Sequence, residues 1–232
     1  MTHDVLVPAE LELDHALVTV RDATAPDGLV FVHGEAAKPL ATPWQVAAER
    51  AAMINPDRLP SGAVLDVACG SGVQLAALAA ILERPAIGIE LDPSRAQASA
   101  HNLRAVAAWF GALEAPWFLA SRVLVGDGTA AEDVLHVVEG SSIGLLQLDP
   151  ARPRNSRTHD LEEMAPSPNA VLGAWASHLA RGPDGQAVLL DLSPRLTHDQ
   201  RLAVEAVIDT HLPCMAQEGL TAPMAAGQLP VQ

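Results

Sequence analysis

The chain has 232 residues, 49% of them hydrophobic and 18% charged, which suits one sizeable domain with a buried core and is short for two. Its net charge of −14 lowers the expectation of a polyanionic partner, although the local charge decides contact. Because there is no leader pattern, no run of ~18 apolar residues and no metal-ligand spacing around the two cysteines, we expect a cytoplasmic protein without a membrane partner or a metal.

The N-terminal region predicts a β-hairpin. Residues 17–20 and 29–32 are short segments with the composition of β-strands, and Pro26-Asp27-Gly28 between them is a sequence typical of turns. We assign residues 1–40 to an N-terminal hairpin extension and 41–232 to the main domain. Whether the hairpin only pairs onto that domain or also holds substrate is open at this point.

A helix is predicted directly after the hairpin. Thr42 stands where a helix N-cap is expected, and Pro43 follows at the first helical position. The helix is expected to end near Asn55 and Pro56, before the first strand of the domain.

The stretch over residues 63–80 has the pattern of a strand, a glycine turn and a helix. Val64, Leu65 and Val67 form a short apolar run broken only by Asp66. Gly70-Ser71-Gly72 follows, and apolar residues then recur at helical spacing. A dinucleotide fingerprint would need a third glycine at the position of Leu75, which argues against NAD or FAD.

Three further strands are each followed by an acid. The strand over 85–90 ends in Glu90, the strand that begins at residue 121 ends in Gly126-Asp127-Gly128, and the strand over 143–149 ends in Asp149. Ligands of open parallel sheets bind beyond the carboxyl ends of the strands, and Glu90 has nearly the spacing at which such a fold places a carboxylate on a ribose. The alternative is structural, with Glu90 a solvated strand-end acid and Asp127 the cap of a turn.

Residues 66–72, Asp-Val-Ala-Cys-Gly-Ser-Gly, resemble motif I of class I S-adenosylmethionine (SAM)-dependent methyltransferases. The resemblance implies a Rossmann-like α/β fold, with a mostly parallel sheet and helices on both faces. The usual fold closes with an antiparallel strand pair, and the C-terminal sequence has no convincing pair, so we expect a reduced edge. It also implies SAM as cofactor and S-adenosylhomocysteine as product.

The same resemblance implies a set of cofactor contacts. Asp66 would order the methionine end, Glu90 would take the ribose and Asp127 the adenine amino group. The residues expected to bind the cofactor are Asp66, Ala68, Gly70, Ser71, Gly72, Glu90, Leu91, Asp127, Gly128 and Asp149.

The segment after the fourth strand resembles a narrower group. Asp149-Pro150-Ala151-Arg152-Pro153 and the Arg-rich loop behind it are similar to predicted archaeal RNA methyltransferases and to bacterial relatives with a THUMP-like domain, and the match around Thr42 supports the same group. The resemblance implies methylation of an RNA base. Base amino-methyltransferases carry a proline and an aromatic residue where this chain has Ala151 and Arg152, which leaves the target atom open.

The roles that follow are divided between catalysis and substrate binding. Catalytic roles fall to Asp149, Pro150 and Arg152, and substrate binding to Thr42, Arg152, Arg154 and Arg157. The three arginines form the densest basic cluster of the chain, and guanidinium forks match phosphate oxygens. The alternative for them is internal pairing with the acids at 160, 162 and 163.

Two other functions compete with this hypothesis. The acidic composition favours a methyltransferase for a small molecule or a protein, and a SAM-binding partner subunit without catalysis is also compatible with motif I. The oligomeric state cannot be read from the sequence.

Overall fold

A six-stranded sheet organises the structure, a computed structural model that describes residues 4–11, 18–33, 42–138, 140–151, 161–192 and 196–212. The strands in this part of the chain are β1 (Asp4–Leu6), β2 (Val18–Val20), β3 (Phe31–His33), β4 (Ala63–Asp66), β5 (Ala86–Glu90), β6 (Arg122–Val125), β7 (Ile143–Leu148) and β8 (Val188–Leu190). The main sheet has the order β1-β6-β5-β4-β7-β8, while β2 and β3 form a separate antiparallel pair.

Strands β4 to β8 run parallel, and β1 alone is antiparallel, at the edge beside β6. The chain reverses its direction of winding at β4, which has β5 on one side and β7 on the other. The mostly parallel α/β sheet predicted from the sequence is confirmed. β1 was not predicted, because three residues show no recognisable period.

Helices cover both faces of this sheet. They are α1 (Trp44–Met53), α2 (Val73–Leu82), α3 (Pro93–Trp109), α4 (Pro116–Leu119), α5 (Ala131–Val137), α6 (Pro168–Trp175) and α7 (His198–His211). The four helices α1, α2, α3 and α4 pack on one face of the sheet through one apolar layer. Helices α5 and α6 pack on the other face through a second apolar layer. The predicted helices on both faces are therefore present. None of the helices in the described ranges is long and apolar enough to cross a membrane.

The predicted cap of α1 is wrong. The helix begins at Trp44, and Pro43 occupies the N-cap position. The side chain of Pro43 accepts no hydrogen bond from the helix. The hairpin supplies the acceptors instead: Asp22 Oδ2 accepts from the Trp44 N–H at 2.7 Å, and Thr24 Oγ1 accepts from the Gln45 N–H at 3.2 Å. Thr42 therefore lies just before the helix, half-buried, without the capping role.

Two expectations about the ends of the chain stay predictions. The reduced C-terminal edge falls partly on residues 213–232, which lie outside the described residues; within them, β8 is the edge strand and α7 the last element. The division at residue 40 is likewise not decided, although the predicted hairpin pairing is observed between β2 and β3, and β1 pairs with the main sheet.

Candidate functional site

The glycine turn connects the buried end of β4 to the start of α2. Gly70 and Gly72 have φ of +55° and +72°, the left-handed region that glycine adopts without strain. A Cβ on Gly72 would lie 2.1 Å from the Ser99 hydroxyl of α3, whereas a Cβ on Gly70 would meet no atom within 4 Å. Gly72 is therefore explained by close packing, and Gly70 borders open space.

Cys69 is a packing residue of this turn. Its Sγ lies 3.4 Å from Ser99 Oγ, and a Cβ on Gly88 of β5 would approach that sulfur to 3.0 Å. Burial raises the pKa of the Cys69 thiol well above its ordinary value. A thiol held in its neutral form is a poor nucleophile, which fits the packing role of Cys69.

Glu90 ends β5 and is bound to the glycine turn. Its Oε2 accepts from the Gly70 N–H at 2.9 Å, and its Oε1 accepts from the Asp92 N–H at 3.0 Å and pairs with Arg95 Nη2 at 2.7 Å. The residue is 6% exposed. A carboxylate offers about four acceptor positions, two on each oxygen. Both positions of Oε1 and one of Oε2 are used in these contacts, so roughly one position of Oε2 remains for a ligand.

Asp66 is the buried acid at the end of β4. Its Oδ1 accepts a hydrogen bond of 3.1 Å from the Ala68 N–H. Burial, together with the charges of Asp149 and Glu90, raises the pKa of Asp66 to about 7 against the opposing effect of the Ala68 hydrogen bond. The three carboxylates of β4, β5 and β7 therefore act on one another at one edge of the sheet.

Asp149 follows β7 directly and is half-buried, with Pro150 buried behind it. Ala151 then exchanges two backbone hydrogen bonds with Ala165, of 3.0 and 2.9 Å. This bridge closes the base of the Arg-rich loop. The candidate residues Arg152, Arg154 and Arg157 lie outside the described residues.

Asp127 lies on the turn after β6. It is exposed, and its Oδ1 accepts from the N–H and the hydroxyl of Thr129, both at 2.8 Å. These contacts are those of a turn cap, the alternative weighed for this residue. A Cβ on Gly128 would lie 2.0 Å from the Val67 carbonyl oxygen, so packing accounts for this glycine.

The remaining candidates lie around the turn. Ala68 is half-buried and holds Asp66, while the Ser71 carbonyl accepts from Asn102 Nδ2 at 2.7 Å. Leu91 is 69% exposed directly after Glu90. An exposed leucine at this position offers an apolar surface beside the acidic edge.

Gln147 is a buried polar residue that sequence reasoning did not select. It pairs in register with Asp66 on the neighbouring strand, is fully buried, and neither of its amide atoms has a partner among the described residues. The available signal was a single amide inside the apolar run of β7. Asn102, Arg50 and Asp191 were also missed. Arg50 pairs with Asp191, whose N–H donates to the Leu148 carbonyl at 2.9 Å, and Asn102 donates to the Ser71 carbonyl, so all of these contacts join residues far apart in the chain.

Two depressions of the surface are lined by other parts of the chain. A depression of about 490 Å³ is lined by Gly111, Ala112 and Trp117, and another of about 360 Å³ by Met53, Pro60 and Gly185 among others. Neither is lined by Asp66, Glu90 or Asp149. The part of the chain that the structure describes contains no group of His, Cys, Asp and Glu side chains suited to a metal ion.

Comparisons with known proteins give matches at the level of structure. No protein-family model matches the chain, and no curated protein matches it. Two solved structures of the rRNA methyltransferase aviRa from Streptomyces viridochromogenes are similar to it. One is 22% identical, with a TM-score of 0.46 over 71% of this chain and 79% of that one. The other is 21% identical, with a TM-score of 0.44 over 68% and 76%.

Proposed function

We propose that the chain is a SAM-dependent methyltransferase that acts on a base in RNA. The observation that carries the proposal is the meeting of Asp66, Glu90 and Asp149 at the carboxyl edge of three adjacent parallel strands, beside the left-handed glycine turn. The charges of Asp149 and Glu90 contribute to the raised pKa of Asp66, and carboxylates placed together in this way favour a ligand with positive charge. SAM carries an ammonium and a sulfonium group on a nucleoside.

The residues at this edge suit such a cofactor. The open space beside Gly70 leaves room for a ligand at the turn, Asp66 would pair with the ammonium group, and Glu90 Oε2 would accept from a ribose hydroxyl. Leu91 would lie against the adenine, and Asp127 would take its amino group through Oδ2. When bound, the cofactor would supply an electrophilic methyl group.

Asp149 is the proposed catalytic residue of the chain. Methyl transfer is an in-line displacement that needs proximity and alignment more than acid–base power. The Asp149 carboxylate would orient the incoming amine and stabilise the positive charge that develops on it. Pro150 and the bridge between Ala151 and Ala165 fix the backbone from which this side chain extends.

RNA is proposed as the substrate because of the loop after β7. Its sequence resembles that of predicted RNA methyltransferases, and Arg152, Arg154 and Arg157 would hold phosphate groups. A small-molecule or protein substrate is the second candidate. It is favoured by the net charge of −14, since polyanions are repelled by an acidic surface.

The experiment that separates these substrates uses labelled SAM. The purified chain is incubated with total RNA, total protein and a small-molecule extract side by side, and labelled RNA is mapped by nucleoside. We expect label in RNA that is abolished by nuclease treatment of the substrate. Label that survives the nuclease would favour the second candidate, and S-adenosylhomocysteine formation with any fraction would exclude a non-catalytic module.

Two variants separate cofactor binding from turnover. Glu90→Gln is expected to weaken SAM binding about tenfold, because a charged acceptor is lost. Asp149→Asn is expected to lower kcat about 100-fold and to leave the SAM dissociation constant within about twofold. Calorimetry and initial rates measure the two effects. Unchanged SAM affinity in Glu90→Gln would contradict the ribose assignment.

A further inference from the structure

Asn102 of α3 connects the glycine turn to the N-terminal hairpin. The residue is 1% exposed, and its amide makes three hydrogen bonds to two distant backbone segments. Nδ2 donates to the Ser71 carbonyl at 2.7 Å and to the Val32 carbonyl at 2.8 Å, and Oδ1 accepts from the Val32 N–H at 2.8 Å. The Asn102 amide bonds both the N–H and the carbonyl of Val32, as a further strand would, on the edge of β3 that does not pair with β2.

The face of α3 that carries Asn102 is fitted to the turn. Ser99, one turn earlier on the helix, touches Cys69, and its hydroxyl lies where a Cβ on Gly72 would stand. Ser99 and Asn102 are three residues apart and therefore lie on the same side of the helix. The backbone of the turn is thus held from one side by α3 and, through Asn102, by β3.

The hairpin is itself anchored to the domain at two more points. Asp22 and Thr24 cap α1, and the Phe31 ring lies 5.8 Å from that of Trp44 between ring centres. The hairpin therefore contacts the domain at α1 as well as at Asn102, and it is not an independent arm.

We propose that Asn102 is a positioning residue for the cofactor, and that the hairpin of residues 18–33 acts through it to hold the glycine turn in its binding conformation. The inference rests on the proposed function. It assigns the hairpin a part in cofactor binding, although none of the residues expected to touch SAM lies in it.

Asn102→Asp is the most direct variant. It keeps the size of the side chain and the acceptor for the Val32 N–H, but replaces the Nδ2 donor by an oxygen that faces the Ser71 and Val32 carbonyls. Two carbonyl groups then lose their donor inside the protein, and the turn is released from the hairpin. We expect SAM affinity to fall about tenfold in protein that is still folded.

Ser121→Ala is the matched control. Ser121 is also fully buried, and its hydroxyl accepts from the Ala86 N–H at 2.9 Å and donates to the Trp117 carbonyl at 2.7 Å. It lies at the amino ends of β5 and β6, whereas the glycine turn lies at the carboxyl ends of the parallel strands. This variant should lower Tm while SAM affinity stays within about twofold of wild type.

Calorimetric titration with SAM, at a temperature where circular dichroism shows each variant folded, measures the effect. A dissociation constant of Asn102→Asp equal to that of wild type would overturn the inference and leave the proposed function standing. Failure of the wild-type protein to bind SAM would overturn both. An equal loss of affinity in Ser121→Ala would also overturn the inference, since general loosening would then explain it.

A measurement on the wild-type protein is independent of how the variant folds. Hydrogen exchange of the hairpin amides is compared with and without SAM. Coupling through Asn102 predicts at least a threefold slowing of exchange at the Val32 amide when SAM is bound. No change there, while the turn itself becomes protected, would overturn the inference.

Discussion

Asp66 shows how one buried carboxylate links the site to pH. An ordinary aspartate ionises near pH 3.9, whereas burial raises the pKa of Asp66 to about 7 in the folded protein. Between these values the folded state keeps a proton that the unfolded chain releases. The stability from this group is therefore fully present below about pH 4 and is lost as the pH rises through 7.

Asp66→Asn should remove this dependence. The amide is neutral at every pH and still offers an acceptor to the Ala68 N–H. We expect the free energy of unfolding of the variant, relative to wild type, to increase by about 3 kcal/mol between pH 5 and pH 8. Urea unfolding at both pH values measures it, and titratable groups that do not interact with Asp66 cancel in the difference. A constant difference would contradict the raised pKa.

The two glycines of the turn are predicted to respond differently to alanine. Gly72→Ala is expected to cost about 2–4 kcal/mol, because its Cβ collides with Ser99 in a left-handed conformation. Gly70→Ala should cost only about 1 kcal/mol, the strain of its positive φ, yet weaken SAM binding because the methyl group enters the open space.

Gly111→Ala is the control for Gly70→Ala. Gly111 has a φ of +67° and open space at its Cβ position, and it lies just beyond the far end of α3. The two variants should lose similar stability by urea unfolding, while only Gly70→Ala loses SAM affinity. Equal SAM affinity in both would speak against a ligand at the turn.

At the residue scale, sequence reasoning worked where a short local pattern determines the position. Asp66 and Glu90 come to one edge because each ends a parallel strand, and that follows from spacing alone. Thr42 was assigned wrongly as a cap because the competing acceptor, Asp22, lies 22 positions away from Trp44. Gln147 was missed because its environment is created by a neighbouring strand.

At the scale of elements, α1 depends on a cap supplied by another element. Asp22→Ala should cost about 1 kcal/mol of stability, since the Trp44 N–H at the start of α1 loses its acceptor. Thr42→Ala is the matched control and should leave the free energy of unfolding nearly unchanged. Urea unfolding of the two variants tests the cap, and equal costs would contradict it.

The strands and helices of the parallel sheet could be predicted because their apolar periodicity is strong. Asp92 caps α3 and Thr197 caps α7 with a full capping box, as their local sequences indicate. The short elements β1 and α4 could not be predicted, because three or four residues carry no period and owe their conformation to what they pair with or pack on.

At the scale of the whole molecule, the charge constrains how RNA could be held. Binding of single-stranded RNA weakens with salt in proportion to the phosphates neutralised, with a slope of about −0.7 per phosphate. The loop offers three arginines on a chain of net charge −14. We expect a shallow slope of log affinity against log salt, about −2, in filter-binding assays between low and physiological salt.

The control for this prediction replaces Arg152, Arg154 and Arg157 by glutamine. The slope of the triple variant should approach zero while its affinity for SAM is retained. A slope steeper than about −4 in the wild-type protein would indicate a basic surface larger than this loop.

The pairing of β1 with β6 has a consequence for the order in which the molecule is completed during synthesis. Asp4 is synthesised long before its partner Val125. The Val32 backbone similarly waits for Asn102, 70 positions later. The amino-terminal strands should therefore stay unpaired while these partners are being made, and during that time their open edges are exposed to aggregation and to chaperones.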